Sequence, residues 1–139
     1  MFRYKNHRFY YDNISFQIPD GFFLDANPDE DTDDYLKLVA PDESYDIDIR
    51  FEQDCMDAKS ELESVIHDLK AEILRPVAPI CMNGLTGYHS TYRDKRTQYY
   101  EAWFDIEDSF TLDVIISTRG NILTIDADAV IAAIDPRRE

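Results

Sequence analysis

Between Ser44 and Glu52 the chain reads SYDIDIRFE, with Tyr45, Ile47, Ile49 and Phe51 alternating with Asp46, Asp48, Arg50 and Glu52. An apolar–polar period of two is the pattern of a strand with one buried face and one wet face. No helix can place these residues on a single stripe, so the segment requires an antiparallel sheet covered on one side.

The neighbouring segments supply further strands and the helices. HRFYYDNISFQIP reads as two short strands joined at Asp12-Asn13, a strong turn pair, with Ile14, Phe16 and Ile18 on one face. Tyr35 to Val39 reads as another strand, stopped by Pro41-Asp42. From Asp57 to Leu74 the period becomes helical: Leu62, Val65, Ile66, Leu69 and Ile73 form a stripe, Asp54 or Asp57 caps the start, and Arg75-Pro76 ends it. A short strand near Val77 to Met82 follows. Leu85 to Arg93, Thr97 to Ile106 and Ser109 to Thr118 then form a meander with turns at Asp94-Lys95 and Glu107-Asp108. Asp126 to Ile134 is a short closing helix, with Ala127, Val130, Ile131 and Ile134 as its apolar stripe. Segregated strands and helices of this kind imply an α+β fold: a mostly antiparallel sheet with an N-terminal β-hairpin, one central helix and a short C-terminal helix packed on it.

With 139 residues and no Ser/Gly linker or repeat, residues 1–139 are expected to form a single domain. A hydrophobic share of 44% excludes a disordered chain. The net charge of −15 repels phosphate backbones and anionic lipid, so neither nucleic acid nor membrane is an expected partner. MFRYKNHRFYYDN has no uninterrupted apolar run behind its basic residues, so a cytoplasmic chain is expected. Cys55 and Cys81 are too few and too far apart for a disulfide framework or a zinc site and read as reduced thiols.

The acidity concentrates in DANPDEDTDD, residues 25–34, and no Lys or Arg occurs from Phe9 to Leu36. Counted from Asp29, calcium-loop ligand positions hold Asp29, Asp31 and Asp33, but Asp34 stands where the loop needs glycine and Ala40 where it needs glutamate. No metal is therefore assigned. The stretch reads either as a solvated connection or, through Asp29, Glu30, Asp31, Asp33 and Asp34, as a docking surface for a protein with a basic face.

Four glycines leave no phosphate-cradling or dinucleotide loop, and no serine stands in a nucleophile elbow. No cofactor and no enzymatic activity are expected. Two aromatic groupings remain. Tyr100, Ala102, Phe104 and Ile106 read as the core face of their strand, which leaves Tyr99, Glu101 and Trp103 outward; Tyr99 and Trp103 are candidate partner contacts unless a helix or the hairpin covers them. Tyr88, His89 and Tyr92 are candidate ligand contacts.

The opening ISFQIPDGF, then YLKLVAPDESYDIDIRF, the helix, NGLTGYHSTY, the meander and the short terminal helix together resemble the PsbP/Mog-like fold. The shared signature is F-x-IP-x-GF at Phe16, Ile18, Pro19, Gly21 and Phe22. That group takes in PsbP, Ran-binding Mog proteins and DcrB-like bacterial proteins. The resemblance implies a non-catalytic domain that docks on another protein, and by analogy with some DcrB-like relatives a chaperone-like one. The expectation is thus a protein-binding module; a small-ligand or divalent-cation binding domain is the alternative.

Overall fold

A computed structural model describes residues 2–25 and 34–139. Among the described residues, eleven strands form two sheets, and two α-helices and a 3-10 turn at Ile122–Thr124 accompany them. The smaller sheet has the order β1-β2-β3-β11, built from β1 (Arg3–Lys5), β2 (Arg8–Tyr11), β3 (Ile14–Phe16) and β11 (Arg137–Arg138). The larger one runs β4-β5-β6-β10-β9-β8-β7, from β4 (Phe23–Leu24), β5 (Tyr35–Val39), β6 (Asp46–Gln53), β7 (Glu72–Met82), β8 (Leu85–Asp94), β9 (Thr97–Glu107) and β10 (Phe110–Thr118). Every pairing is antiparallel. The architecture is α+β with mostly antiparallel sheet, as the sequence pattern requires.

The alternation in β6 does what it predicts. Ile47, Ile49 and Phe51 are fully buried and face Leu112, Val114 and Ile116 of β10 and Tyr100, Ala102 and Phe104 of β9. The smaller sheet (Tyr11, Ile14, Phe16) and α2 (Ala127–Ile134, through Ile131 and Ile134) close over that face. Phe51 stacks on Tyr11 with ring centroids 4.2 Å apart.

The other face is not uniformly wet. Helix α1 (Ala58–Leu69) lies on it, seating Leu62 and Ile66 against Tyr92 of β8 and Trp103 of β9. Asp57 caps the helix by accepting from the Ser60 amide, and Glu61 reaches back to the Met56 amide. The helix stops at Leu69, five residues before the expected end at Leu74. Lys70 adopts the left-handed conformation at φ 53°, its N–H bonds the carbonyls of Ile66 and His67, and the chain leaves as β7. Ladder bonds to β8 decide this against the helical stripe, so Ile73 pairs with Tyr92 instead and stays exposed. The expected short strand is therefore eleven residues long, at the sheet edge. The second of its register shifts, between Arg75 and Ala78, spans Pro76, which has no N–H for the ladder. The chain's last strand, β11, lies beyond Pro136, where no strand was expected.

Candidate functional site

A cleft of about 540 Å³ opens between α1 and the outer face of the large sheet. Register fixes its floor. Asp113 of β10 stands opposite Trp103 of β9 and Arg50 of β6, while Glu101 stands opposite Ile115 and Ser90. All these positions fall on the same face, because directly opposed residues of neighbouring strands share a side. Glu61, Val65 and Leu69 of α1 line the opposite wall, and Glu52, Gln53, Asp54 and Cys55 form one end.

Two carboxyl groups lie buried at the floor. Glu101 is 1% exposed and Asp113 is 2% exposed. Glu101 is held from both sides: the Tyr92 hydroxyl donates to Oε1 at 2.6 Å, and the Trp103 indole N–H donates to Oε2 at 2.7 Å. Asp113 Oδ1 is buried and has no hydrogen-bond partner among the described residues.

Burial pushes the Asp113 carboxyl well above the usual carboxylate range; the charge of Glu101 and a side-chain hydrogen bond with it add to this, and only Arg50 opposes. Asp113 therefore holds its proton into a range where a solvated aspartate has lost it, because water cannot screen its charge there. Burial, with the Glu101 charge behind it, also raises Tyr92, which stays a hydroxyl donor. Tyr99 stacks on Tyr92 at 5.1 Å. Such a floor can accept N–H donors and balance a positive charge. Arg50 itself lies 4.8 Å over the Tyr35 ring and 3.8 Å from Glu52.

The residues singled out from sequence distribute differently from expectation. Trp103, a candidate partner contact unless an element covers it, is 4% exposed beneath α1, and Tyr99 is half-buried beside it. Helix α1 supplies the cover, so the aromatic sheet face is not an open surface. Tyr88, His89 and Tyr92 do not converge. Tyr92 joins the cleft and Tyr88 sits under Lys59 on the same face. His89 points through the sheet to bond the Tyr100 hydroxyl at 2.9 Å, with its imidazole pushed down by burial against the pull of Asp128.

Of the acidic stretch, Asp29, Glu30, Asp31 and Asp33 lie outside the described residues. Asp34 is half-buried and accepts the Tyr11 hydroxyl at 2.5 Å, and burial and that bond push Tyr11 up to about 12. Sequence reasoning missed Asp113 and took Glu101 for a solvated side chain. The usable signal was its position between Tyr99 and Trp103 on one strand face, since two large aromatics there call for a cover.

Both cysteines are thiols. Among the described residues no three His, Cys, Asp or Glu side chains are placed to hold a metal ion, and no helix is long and apolar enough to cross a membrane.

No protein-family model matches the chain, and no curated protein matches its sequence. Solved structures do. Cyanobacterial PsbP (CyanoP) from Synechocystis sp. PCC 6803 superposes with a TM-score of 0.61 at 10% identity, over 92% of this chain and 88% of that one. A protein of Bacteroides thetaiotaomicron VPI-5482 gives 0.54 at 13% identity, over 91% of this chain and 45% of its own. Shared architecture at such low identity speaks for the fold and not for the activity: the chain has a PsbP-like fold.

Proposed function

We propose that this chain is a non-catalytic ligand-binding domain whose site is the cleft between α1 and the sheet. One observation carries the reading: Asp113 Oδ1 is desolvated at the cleft floor without a hydrogen-bond partner among the described residues. An unpaired buried acceptor costs about 1–3 kcal/mol, a cost that a bound donor would remove. The cleft's 540 Å³ suits a small molecule, and its lining mixes apolar walls with a few convergent polar groups. The test is a fragment screen read by amide and indole chemical shifts of isotopically labelled protein. Hits should move Glu101, Asp113 and the Trp103 indole; hits that move only other regions would contradict the reading.

A chaperone-like role on a basic protein partner is the second reading, favoured by the net charge of −15 and the stretch DANPDEDTDD. Affinity capture at low and moderate salt would compare the wild type with an Asp29/Asp31/Asp33/Asp34→Asn variant. A partner lost from the variant and weakened by salt supports it; a partner held equally by both contradicts it. Either reading suits a cytoplasmic protein with reduced cysteines, acting without cofactor, nucleic acid or membrane.

A further inference from the structure

We propose that the cleft takes an organic ammonium ion, whose N–H groups bond Asp113 Oδ1 and the Glu101 carboxylate while its carbon chain lies along Val65, Leu69 and Ile115. The inference rests on the cleft being the binding site and names what it binds. Charge is the first argument. Among the described residues the cleft is lined by five carboxyl groups, those of Glu52, Asp54, Glu61, Glu101 and Asp113, and by one guanidinium, that of Arg50. Arg50 does not bond Asp113 Oδ1, which has no partner although the two residues face each other across the β6–β10 ladder. The site therefore carries a surplus of negative charge and, at its floor, a buried acceptor without a donor among the described residues.

The lining also selects the kind of cation. Apolar side chains from α1 and β10, together with the rings of Tyr99 and Trp103, suit carbon more than a hydrated metal ion, and ammonium groups are attracted to aromatic faces. Glu101 is already oriented by Tyr92 and Trp103, so the ligand need not order it.

Binding moves a proton. The ammonium N–H donates to Asp113 Oδ1, the Asp113 O–H bond breaks, and its proton goes to water, so a monocation meets two carboxylates. The titratable and charged groups around Asp113 are Glu101 from β9, Tyr92 from β8, and Arg50 and Glu52 from β6, with Glu61 of α1 on the opposite wall of the cleft. Affinity should rise with pH until Asp113 ionises unaided, and fall where the amine loses its own charge, near pH ~10.

The protein reports on this site directly, because Trp103 is its sole tryptophan. Fluorescence titrations would use n-butylammonium chloride, 1-butanol as the neutral isostere, and N-acetyl-lysine methylamide as a protein-like amine. Calorimetry in two buffers of different ionisation enthalpy counts protons. Expected are saturable binding of an amine but not of 1-butanol, proton release on binding, and at least tenfold weaker binding by Asp113→Asn. Tighter binding of the lysyl probe would identify a protein side chain as the source; tighter butylammonium binding, a free amine. Equal binding of 1-butanol, no proton release by the wild type, or an Asp113→Asn variant that binds as well would overturn the inference and leave the cleft standing as a site for other ligands. A Trp103 signal flat to these probes and to the fragment screen would overturn both.

Discussion

Trp103 donates its indole N–H to Glu101, two residues earlier on the same strand, at 2.7 Å. Side chains two apart on a strand share a face, so β9 carries both a buried carboxyl group and a donor that holds it. The second donor, Tyr92, comes from β8 at 2.6 Å. The hydrogen bonds that orient the cleft floor thus also join two central strands.

Glu101→Ala should destabilise by roughly 3 kcal/mol, because it strands the Tyr92 hydroxyl and the Trp103 N–H away from water. Glu101→Gln keeps the shape and one acceptor, and should cost about half as much. Denaturant unfolding measures both; an alanine variant within 1 kcal/mol (roughly a fivefold change in the folded-to-unfolded ratio) of wild type would contradict the account.

Asp113→Asn tests the raised Asp113 carboxyl through pH. In the native state Asp113 keeps its proton where an unfolded aspartate has lost it, so the native state binds more protons and wild-type stability falls as pH rises. The window opens at the ordinary value of 3.8 and closes at the raised native value. Asparagine cannot ionise. The stability of Asp113→Asn relative to wild type should therefore climb through that window, at up to about 1.4 kcal/mol per pH unit, and then level off. A difference that stays constant with pH would show that the carboxyl titrates normally.

Trp103→Ala should cost about 3–5 kcal/mol, as for a large aromatic removed from a packed site. Trp103→Phe should cost less, losing mainly the indole donor. Were Trp103 an open contact residue, both variants would unfold near the wild-type midpoint.

Gly87→Ala addresses the same strand from behind. Gly87 of β8 pairs with Phe104, and an added Cβ would stand 1.8 Å from the Trp103 carbonyl oxygen, which is backbone and cannot turn aside. The strands would have to separate, at a cost of about 3 kcal/mol. Thermal unfolding together with a red shift of Trp103 emission would record it; an unchanged spectrum would not fit so close an approach.

The fold was legible where the pattern is local. The period of two in Tyr45 to Phe51 placed β6, and the turns at Asp94-Lys95 and Glu107-Asp108 placed the meander. The end of α1 was not, because Ile73 fits the helical stripe equally well and only pairing with Tyr92 of β8 removes it. The site was less legible still. Glu101 and Asp113 occupy the polar phase of their strands, normally the solvated one, and only the long-range landing of α1 makes that phase an interior. The same landing turned Trp103 from an expected contact into a buried donor. His89 was grouped with Tyr88 and Tyr92 by proximity in sequence, but strand alternation sends it through the sheet to Tyr100.

The most direct measurement is a carbon-detected NMR titration of the side-chain carboxyls, with Asp113 and Glu101 assigned through Asp113→Asn and Glu101→Gln. Asp113 should stay protonated well above the ordinary aspartate range, its resonance moving only as it ionises there. An Asp113 carboxyl that ionises at the ordinary value near 3.8 would contradict the burial of its charge at the cleft floor.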